Sequence, residues 1–514
     1  MHATLCEPRA LRCLRGLAYW AALIGLCLFL TAWRGTLALA VLLAVMAAAA
    51  PVVAMIGMRR PRASRFSVVT ATEHEGSPTP AAIPRAADRS LFWFGVDSAT
   101  WVVMDPLLER GRLPHIQRLV DEGCRASLRT LVPTHSPILW TSLVTGKSPL
   151  KHGIRDFLTL SVCGLPDPIE VVGFDPVLSL AQRYGRKLRV LSRRPVASFD
   201  RKALALWNIL SAAGRKVGVV SWFVTDPVEK IDGFMVPEFF YMLGRKKFEA
   251  ASSVHPAELD QELRELAKET EAESCSPAGI AHTRERFRVR GKLSPSEEHK
   301  IEVLRVFYYS DVMRVRVAER LLQKCPAQAV FMYLHGTDAA QHHLWHCLEQ
   351  PSSPFHEAIP AYYEYVDEVL GRMRGLIDES ATVLLTSDHG HGPIKPHKRI
   401  YHLVFDREGL SGTHFHGPDG VFVAGGGGIR RGVRLPAVSL YDVAPTILRL
   451  FGLPVANDMD GRVLEEFLDP GLPDAGRIDT YEGRVSWRDH LGPATDLSEN
   501  EAVLRRLRDL GYID

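Results

Sequence analysis

Residues 91–97 read LFWFGVD, six positions without a polar side chain followed by an aspartate. A run this short and this continuously apolar is a strand covered on both faces, the environment of a parallel sheet. The same signature returns at Val217 to Val224 (VGVVSWFV), Ala329 to Leu334 (AVFMYL), Thr382 to Leu385 and Gly420 to Val423. Between these runs apolar residues recur at helical spacing. Leu113 to Glu122 carries Leu113, Ile116, Leu119 and Val120 on one face, and Ala203 to Ala213, Ile301 to Leu322, Tyr362 to Ile377 and Ser439 to Phe451 follow the same pattern. Alternation of buried strands with amphipathic helices predicts an α/β domain on a mostly parallel central sheet.

Open α/β sheets bind ligands at the carboxyl ends of their strands. Three aspartates stand there: Asp97 directly after LFWFGV, Asp338 shortly after AVFMYL, and Asp388 after TVLLTS. One such aspartate alone is most simply a helix cap. Three of them, two with histidines attached, point to metal ligation. In GTDAAQHHLW, Asp338 and His342 are four residues apart and share a face if a helix begins there. In SDHGHGP, Asp388 and His389 are adjacent, and in SGTHFHGPDG either His414 or His416 can complete a site. Mixed Asp/His ligation suits zinc, with manganese as the alternative. His115, His152, His391, His397 and His402 are read as structural or exposed.

A further stretch, LVPTHSPILWTSLVTGKSPLKHGI (131–154), runs from a hydroxyl-rich, Pro-bounded turn into a helical segment, Leu139 to Val144, that stops at Thr145-Gly146. A Ser or Thr just before a helix caps its free N–H groups and makes the spot a natural anion site. A hydroxyl nucleophile between two metal ions accounts for this turn and the Asp/His sets together.

The chain has 514 residues, 46% of them hydrophobic and 24% charged, the profile of an ordinary globular protein. A formal net charge of +3 and the lack of a basic stripe with interleaved aromatics give no support to nucleic acid binding. Residues 1–58 differ from the rest. Gly16 to Trp33 and Thr36 to Met58 are two apolar runs separated by Arg34-Gly35, each close to the ~20 residues that cross a bilayer. They predict a two-span membrane hairpin. Seven arginines flank the pair (Arg9, Arg12, Arg15, Arg59, Arg60, Arg62 and Arg65) against Arg34 in the turn, which puts both termini and the main domain on the cytoplasmic side, the alternative being one run as an anchor with the domain exported. Scattered cysteines without a CxxC pair agree with a reducing compartment. A Pro/Ala/Ser-rich tether fills 59–90, the catalytic domain is expected over 91–470 with a charged, lid-like insertion over about 239–300, and 471–514 forms a C-terminal extension ending in a docking helix.

Taken in order, these motifs resemble the alkaline phosphatase superfamily, and most closely its type I phosphodiesterase/nucleotide pyrophosphatase branch, with the LGY-type C-terminus also similar to bacterial members. The family's Thr or Ser nucleophile lies nine residues before a TG dipeptide, which selects Ser136 over Thr134. The resemblance implies an alkaline-phosphatase-like fold and a phosphoserine intermediate on Ser136. It also implies two zinc ions, one held by Asp97, Asp388, His389 and the Ser136 oxygen, the other by Asp338, His342 and His414. Relatives that hydrolyse nucleotides carry Asn three residues after the nucleophile; Leu139 stands here, so nucleotide specificity does not follow. The implied activity is hydrolysis of a small-molecule phosphate ester or diester. A membrane phosphotransferase and a catalytically inactive membrane scaffold are the alternatives. A sulfatase would need x-Pro-x-Arg after its nucleophile, and Pro137-Ile138-Leu139-Trp140 does not supply it.

Overall fold

The computed structural model describes residues 83–162, 191–242, 253–394, 410–414, 418–485 and 491. The expected membrane hairpin, most of the tether, the C-terminal helix, and His397, His402 and His416 lie outside the described residues. Among the described residues no helix is long and apolar enough to cross a membrane, and Cys124, Cys275, Cys325 and Cys347 are free thiols. The chain divides into two compact units. Of the first, Met1–Ser77 with Leu158–Arg194, residues 158–162 and 191–194 are described, and they belong to a two-stranded sheet of Leu158–Val162 and Leu191–Pro195. The second, Pro78–Phe157 with Pro195–Asp514, contains the large sheet and everything that follows.

That sheet has eight strands: β1 (Leu91–Val96), β2 (Gly123–Arg129), β3 (Val217–Val220), β4 (Gly233–Val236), β5 (Ala329–Leu334), β6 (Thr382–Thr386), β7 (Gly420–Gly425) and β8 (Val433–Ser439), in the order β8-β2-β7-β6-β1-β5-β3-β4. All neighbours run parallel except where β7 pairs with β2 and β6. The sheet is therefore mixed and mostly parallel, as the alternation of buried strands and helices predicts. The long apolar runs become the centre: every residue of β1, β5 and β6 is buried, because both faces of those strands are covered.

The expected strand over Val217 to Val224 stops at Val220. Ser221 and Val224 take left-handed backbone angles, φ 56° and 59°, and the chain turns away from the sheet. A β-branched residue rarely adopts that conformation. Here the buried Glu238 carboxylate accepts the Val224 N–H at 2.9 Å, and burial pushes the Glu238 carboxyl up to about 8. The turn sends Trp222 against Trp93 and Trp140, at ring distances of 5.3 and 4.9 Å, and Phe223 against Tyr333 at 5.1 Å. Packing outweighs the strand preference.

Helix α1 (Trp101–Glu109) and helix α2 (Pro114–Asp121) follow β1, and helix α3 (Ser136–Thr145) follows β2. The expected insertion becomes α4 (Asp260–Cys275) and α5 (Pro277–Arg286) lying along α6 (Pro295–Lys324), with Arg305 bonded to the Ser274 carbonyl at 2.8 Å and Arg316 to Thr270 at 3.0 Å. Helix α7 (Gly336–Leu348) starts two residues after β5. Its first amides have no partner within the helix, as at any helix start. Buried Asp311 of α6 meets them from outside, accepting His335 N at 3.1 Å and Gly336 N at 2.9 Å, while Arg314 at 3.0 Å balances its charge.

Gly95 fixes where α3 sits. A Cβ at Gly95 would lie 2.8 Å from the Trp140 ring, so the absence of a side chain at Gly95 is what lets Trp140 of α3 come this close to the strand that Asp97 follows. Gly95→Ala is expected to lower stability by about 1–3 kcal/mol, the usual cost of overpacking a filled core, measured by urea unfolding. An unchanged unfolding midpoint would show that Trp140 moves aside freely and that the close approach does not set the helix position.

Candidate metal centre

The three aspartates belong to the three adjacent central strands. β1 lies between β6 and β5, with Gly95 level with Thr386 and Val96 level with Leu334. Asp97 follows β1 immediately, Asp388 stands two residues past β6, and Asp338 sits in the first turn of α7 beyond β5. Parallel register thus delivers three carboxylates to one place. All three are fully buried, as are Ser136, His389 and His391, with His342 and His414 only 6% exposed.

Three sets of side chains have ligand atoms within 4.8 Å of one another: Asp97, Asp388 and His389; Asp338, His342 and His391; and Asp338, His389 and His414. His389 Nε2 stands 3.5 Å from both Asp97 Oδ1 and Asp388 Oδ2. Asp338 Oδ1 lies 3.5 Å from His342 Nε2, across one helical turn, and 3.6 Å from His391 Nδ1. The His414 ring stacks on His389 at 4.2 Å and meets His342 edge-on at 5.0 Å. The seven expected residues all converge. The grouping is finer than expected, since His414 forms its set with His389 and Asp338, while the partner of His342 beside Asp338 is His391.

The hydrogen bonds orient these groups. His342 Nδ1 and His389 Nδ1 each face a backbone carbonyl at 3.2 Å, from Gly412 and Gly390. A carbonyl only accepts, so both Nδ1 atoms carry the proton and both Nε2 lone pairs point into the cluster. His414 Nδ1 is held at 2.9 Å by the Thr134 hydroxyl, whose own proton reaches the His414 carbonyl at 3.4 Å. Asp97 Oδ1, Asp388 Oδ2 and the Nε2 atoms of His342, His389 and His391 are buried without a hydrogen bond. Buried polar atoms are otherwise almost always paired. Two carboxylate oxygens and the Nε2 atoms of His342 and His389 gathered in one place fit divalent cations of the zinc type, while His391 meets Asp338 through Nδ1.

The electrostatics agree. Burial, and then the charge of Asp338, push the Asp97 carboxyl well above its ordinary range; burial and then Asp97 do the same to Asp388. Burial lowers His342 and His414 and brings His391 down to about 4. For Asp338 burial works in the opposite sense, but the facing imidazoles, His342 first, hold it well below the usual range. A metal-free cluster is thus strained toward proton uptake by two of its carboxyls, a strain that bound cations would remove.

Ser136 is the first residue of α3, with His135 in the cap position and no side-chain cap. The expectation of a capping hydroxyl is corrected accordingly: Ser136 Oγ turns inward, 3.5 Å from Asp97 Oδ2, instead of bonding the helix amides. Thr134, the neighbouring hydroxyl, serves His414. His391 is the second correction. Read from sequence as structural or exposed, it is buried within the cluster, bonded to Ser98 Oγ at 2.8 Å. Ser98 itself adopts φ 61°, and its carbonyl accepts from Gln341, whose amide oxygen meets Tyr363. The histidine two residues after His389 in SDHGHGP was the available signal. His152 is structural as expected, bonded to Ser142 at 3.0 Å.

Fold, site and family model together point to a hydrolase of phosphoric esters, with acidic and imidazole groups suited to hold metal gathered at the carboxyl edge of a mostly parallel sheet. A family model, type I phosphodiesterase/nucleotide pyrophosphatase, matches residues 91–424, and the chain belongs to that metal-dependent family. Among solved structures it is similar to human ectonucleotide pyrophosphatase/phosphodiesterase 5, at 14% identity over 74% of this chain and 100% of that one, with a TM-score of 0.41. It is also similar to a mutant of the alkaline phosphatase PafA, at 12% identity over 76% and 100%, TM-score 0.47. A third is the phosphonoacetate hydrolase of Sinorhizobium meliloti 1021, at 15% identity over 61% and 59%, TM-score 0.36. Such distant likenesses transfer no substrate. No curated protein sequence matches this one.

If the cluster is a metal centre, stripping metal with a chelator should lower the melting temperature. Zinc restored at a hundredfold its dissociation constant should return about 2.7 kcal/mol per site by mass action, measured by thermal unfolding. Identical melting curves with and without zinc would count against metal binding by the folded chain.

Proposed function

We propose that this chain hydrolyses a small phosphate ester or diester in two displacements, with Ser136 as the nucleophile at a two-metal site. The observation that carries the reading is the set of buried ligand atoms without hydrogen bonds, with Ser136 Oγ beside them at the start of α3. Asp97, Asp388, His389 and the Ser136 oxygen would hold one ion. Asp338, His342 and His414 would hold the other, with His391 standing against Asp338. Asp/His ligation favours zinc, with manganese as the alternative. When bound, the two ions supply Lewis acidity that favours the serine alkoxide and offsets charge on the phosphoryl oxygens.

The protein's own part follows from placement. Ser136 Oγ attacks phosphorus, the Oγ–P bond forms, and the P–O bond to the leaving alcohol breaks. In net terms the serine proton ends on the departing oxygen, which leaves as alcohol. Water then attacks the phosphoserine, releasing phosphate or a phosphomonoester and restoring the hydroxyl. The N-terminus of α3 offers a positive dipole end to the phosphoryl group throughout. Burial excludes bulk water from the ligands, which strengthens every electrostatic contact there. Leu139, fully buried in α3, offers no hydrogen bond to a phosphoryl oxygen, so this reading extends to phosphate esters as a class and not to nucleotides.

Ser136→Ala is expected to abolish turnover of a chromogenic diester while leaving at least the three-residue ligand sets intact, so metal content should change little. Thr134→Ala should keep measurable turnover with weakened metal retention, since it loses only the support of His414. Activity and metal content of the two variants decide the register. An active Ser136→Ala alongside a dead, metal-loaded Thr134→Ala would place the nucleophile at 134.

A further inference from the structure

Only one oxygen of Asp97 faces His389. The other, Oδ2, lies where β1, β5 and the start of α3 meet, and the Tyr333 hydroxyl donates to it. Tyr333 is the fifth residue of β5 and is buried. Its ring is enclosed by Trp140 at 5.2 Å, Phe223 at 5.1 Å and Trp222 at 6.5 Å, all edge-on. His335 Nδ1 stands 2.8 Å from the same hydroxyl and 3.3 Å from Asp97 Oδ2. A phenol has one proton to give. Given to Asp97, it leaves the phenol oxygen to accept from His335 Nδ1–H, so the chain of bonds runs from His335 through Tyr333 to Asp97 Oδ2. Linked bonds of this kind strengthen one another in a low-dielectric interior.

We propose that Tyr333 is a positioning residue for the metal held by Asp97, Asp388 and His389. By engaging Oδ2 it fixes the plane of the carboxylate and leaves Oδ1, which has no hydrogen bond, as the ligand oxygen. It also occupies the oxygen that Ser136 would otherwise bind. At 3.5 Å the Ser136 hydroxyl is outside strong hydrogen-bond range of Oδ2, so its oxygen stays available for the metal and for phosphorus. The inference rests on the reading of Asp97 as a metal ligand, and its test separates the two.

The test is a zinc titration of the metal-stripped full chain against a chromogenic chelator, using wild type, Tyr333→Phe, Asp97→Ala and the double variant. Tyr333→Phe keeps the ring and its packing and removes only the hydroxyl. Wild type should bind two zinc ions. In Tyr333→Phe one of them should bind about 10–100-fold more weakly, the effect expected when the partner of a metal ligand is lost, and the other should be unchanged. On the Asp97→Ala background, Tyr333→Phe should change nothing further. Two ions bound by Tyr333→Phe as tightly as by wild type would overturn the role of Tyr333, and so would equal weakening of both, which is the outcome of mere packing damage. Wild-type chain that fails to bind two ions would overturn the two-metal reading instead. Should Tyr333→Phe not fold, His335→Phe tests the same linkage: weakening of one zinc supports it, and unchanged affinity for both overturns it.

Discussion

Three carboxylates crowded into one buried place are the constraint on which the rest of this structure depends. Asp97, Asp338 and Asp388 are all completely buried, and removing an ionised carboxylate from water costs several kcal/mol even after relaxation. Three such penalties rival the whole net stability of a domain, about 5–15 kcal/mol. The imidazoles nearby offset part of this at Asp338, but Asp97 and Asp388 are pushed toward their protonated forms. Bound cations would relieve the repulsion that protonation otherwise relieves.

The scaffold answers to that constraint. Parallel pairing of β6, β1 and β5 sets the three aspartates side by side. Gly95 admits the Trp140 ring of α3, and the first residue of that helix, Ser136, stands 3.5 Å from Asp97 Oδ2. Asp311 satisfies the amides at the start of α7 and thereby fixes the turn that carries Asp338. Around these side chains, the Nδ1 atoms of His342 and His389 donate to the Gly412 and Gly390 carbonyls, and those of His414 and His391 bond the Thr134 and Ser98 hydroxyls, which fixes how each ring faces. Orientation of ligands by their outer partners is the usual means by which proteins tune a metal site.

What was legible in the sequence was whatever depends on local pattern. LFWFGVD, AVFMYL and TVLLTSD announce buried strands that end near an acid, and Asp338 and His342 at four-residue spacing announce a shared helical face. The count from Thr145 back to Ser136 picks the hydroxyl that the fold places beside Asp97. Contacts between residues far apart in the chain were not legible. Tyr333 meets Asp97 across 236 positions and His391 meets Ser98 across 293, and no local period encodes either pairing. The early end of β3 was hidden for the same reason, since a distant carboxylate, Glu238, holds Val224 in a conformation its own side chain disfavours. Ser136 as the first helical residue, instead of a cap, turns on the backbone path through Pro133 and Pro137, which composition alone does not give.

The most direct measurement is anomalous diffraction at the zinc absorption edge from crystals of the zinc-loaded protein. The account predicts two peaks of comparable height roughly 4 Å apart, one against Asp97, Asp388 and His389 and one against Asp338 and His342. A single peak, or two peaks away from these residues, would contradict it.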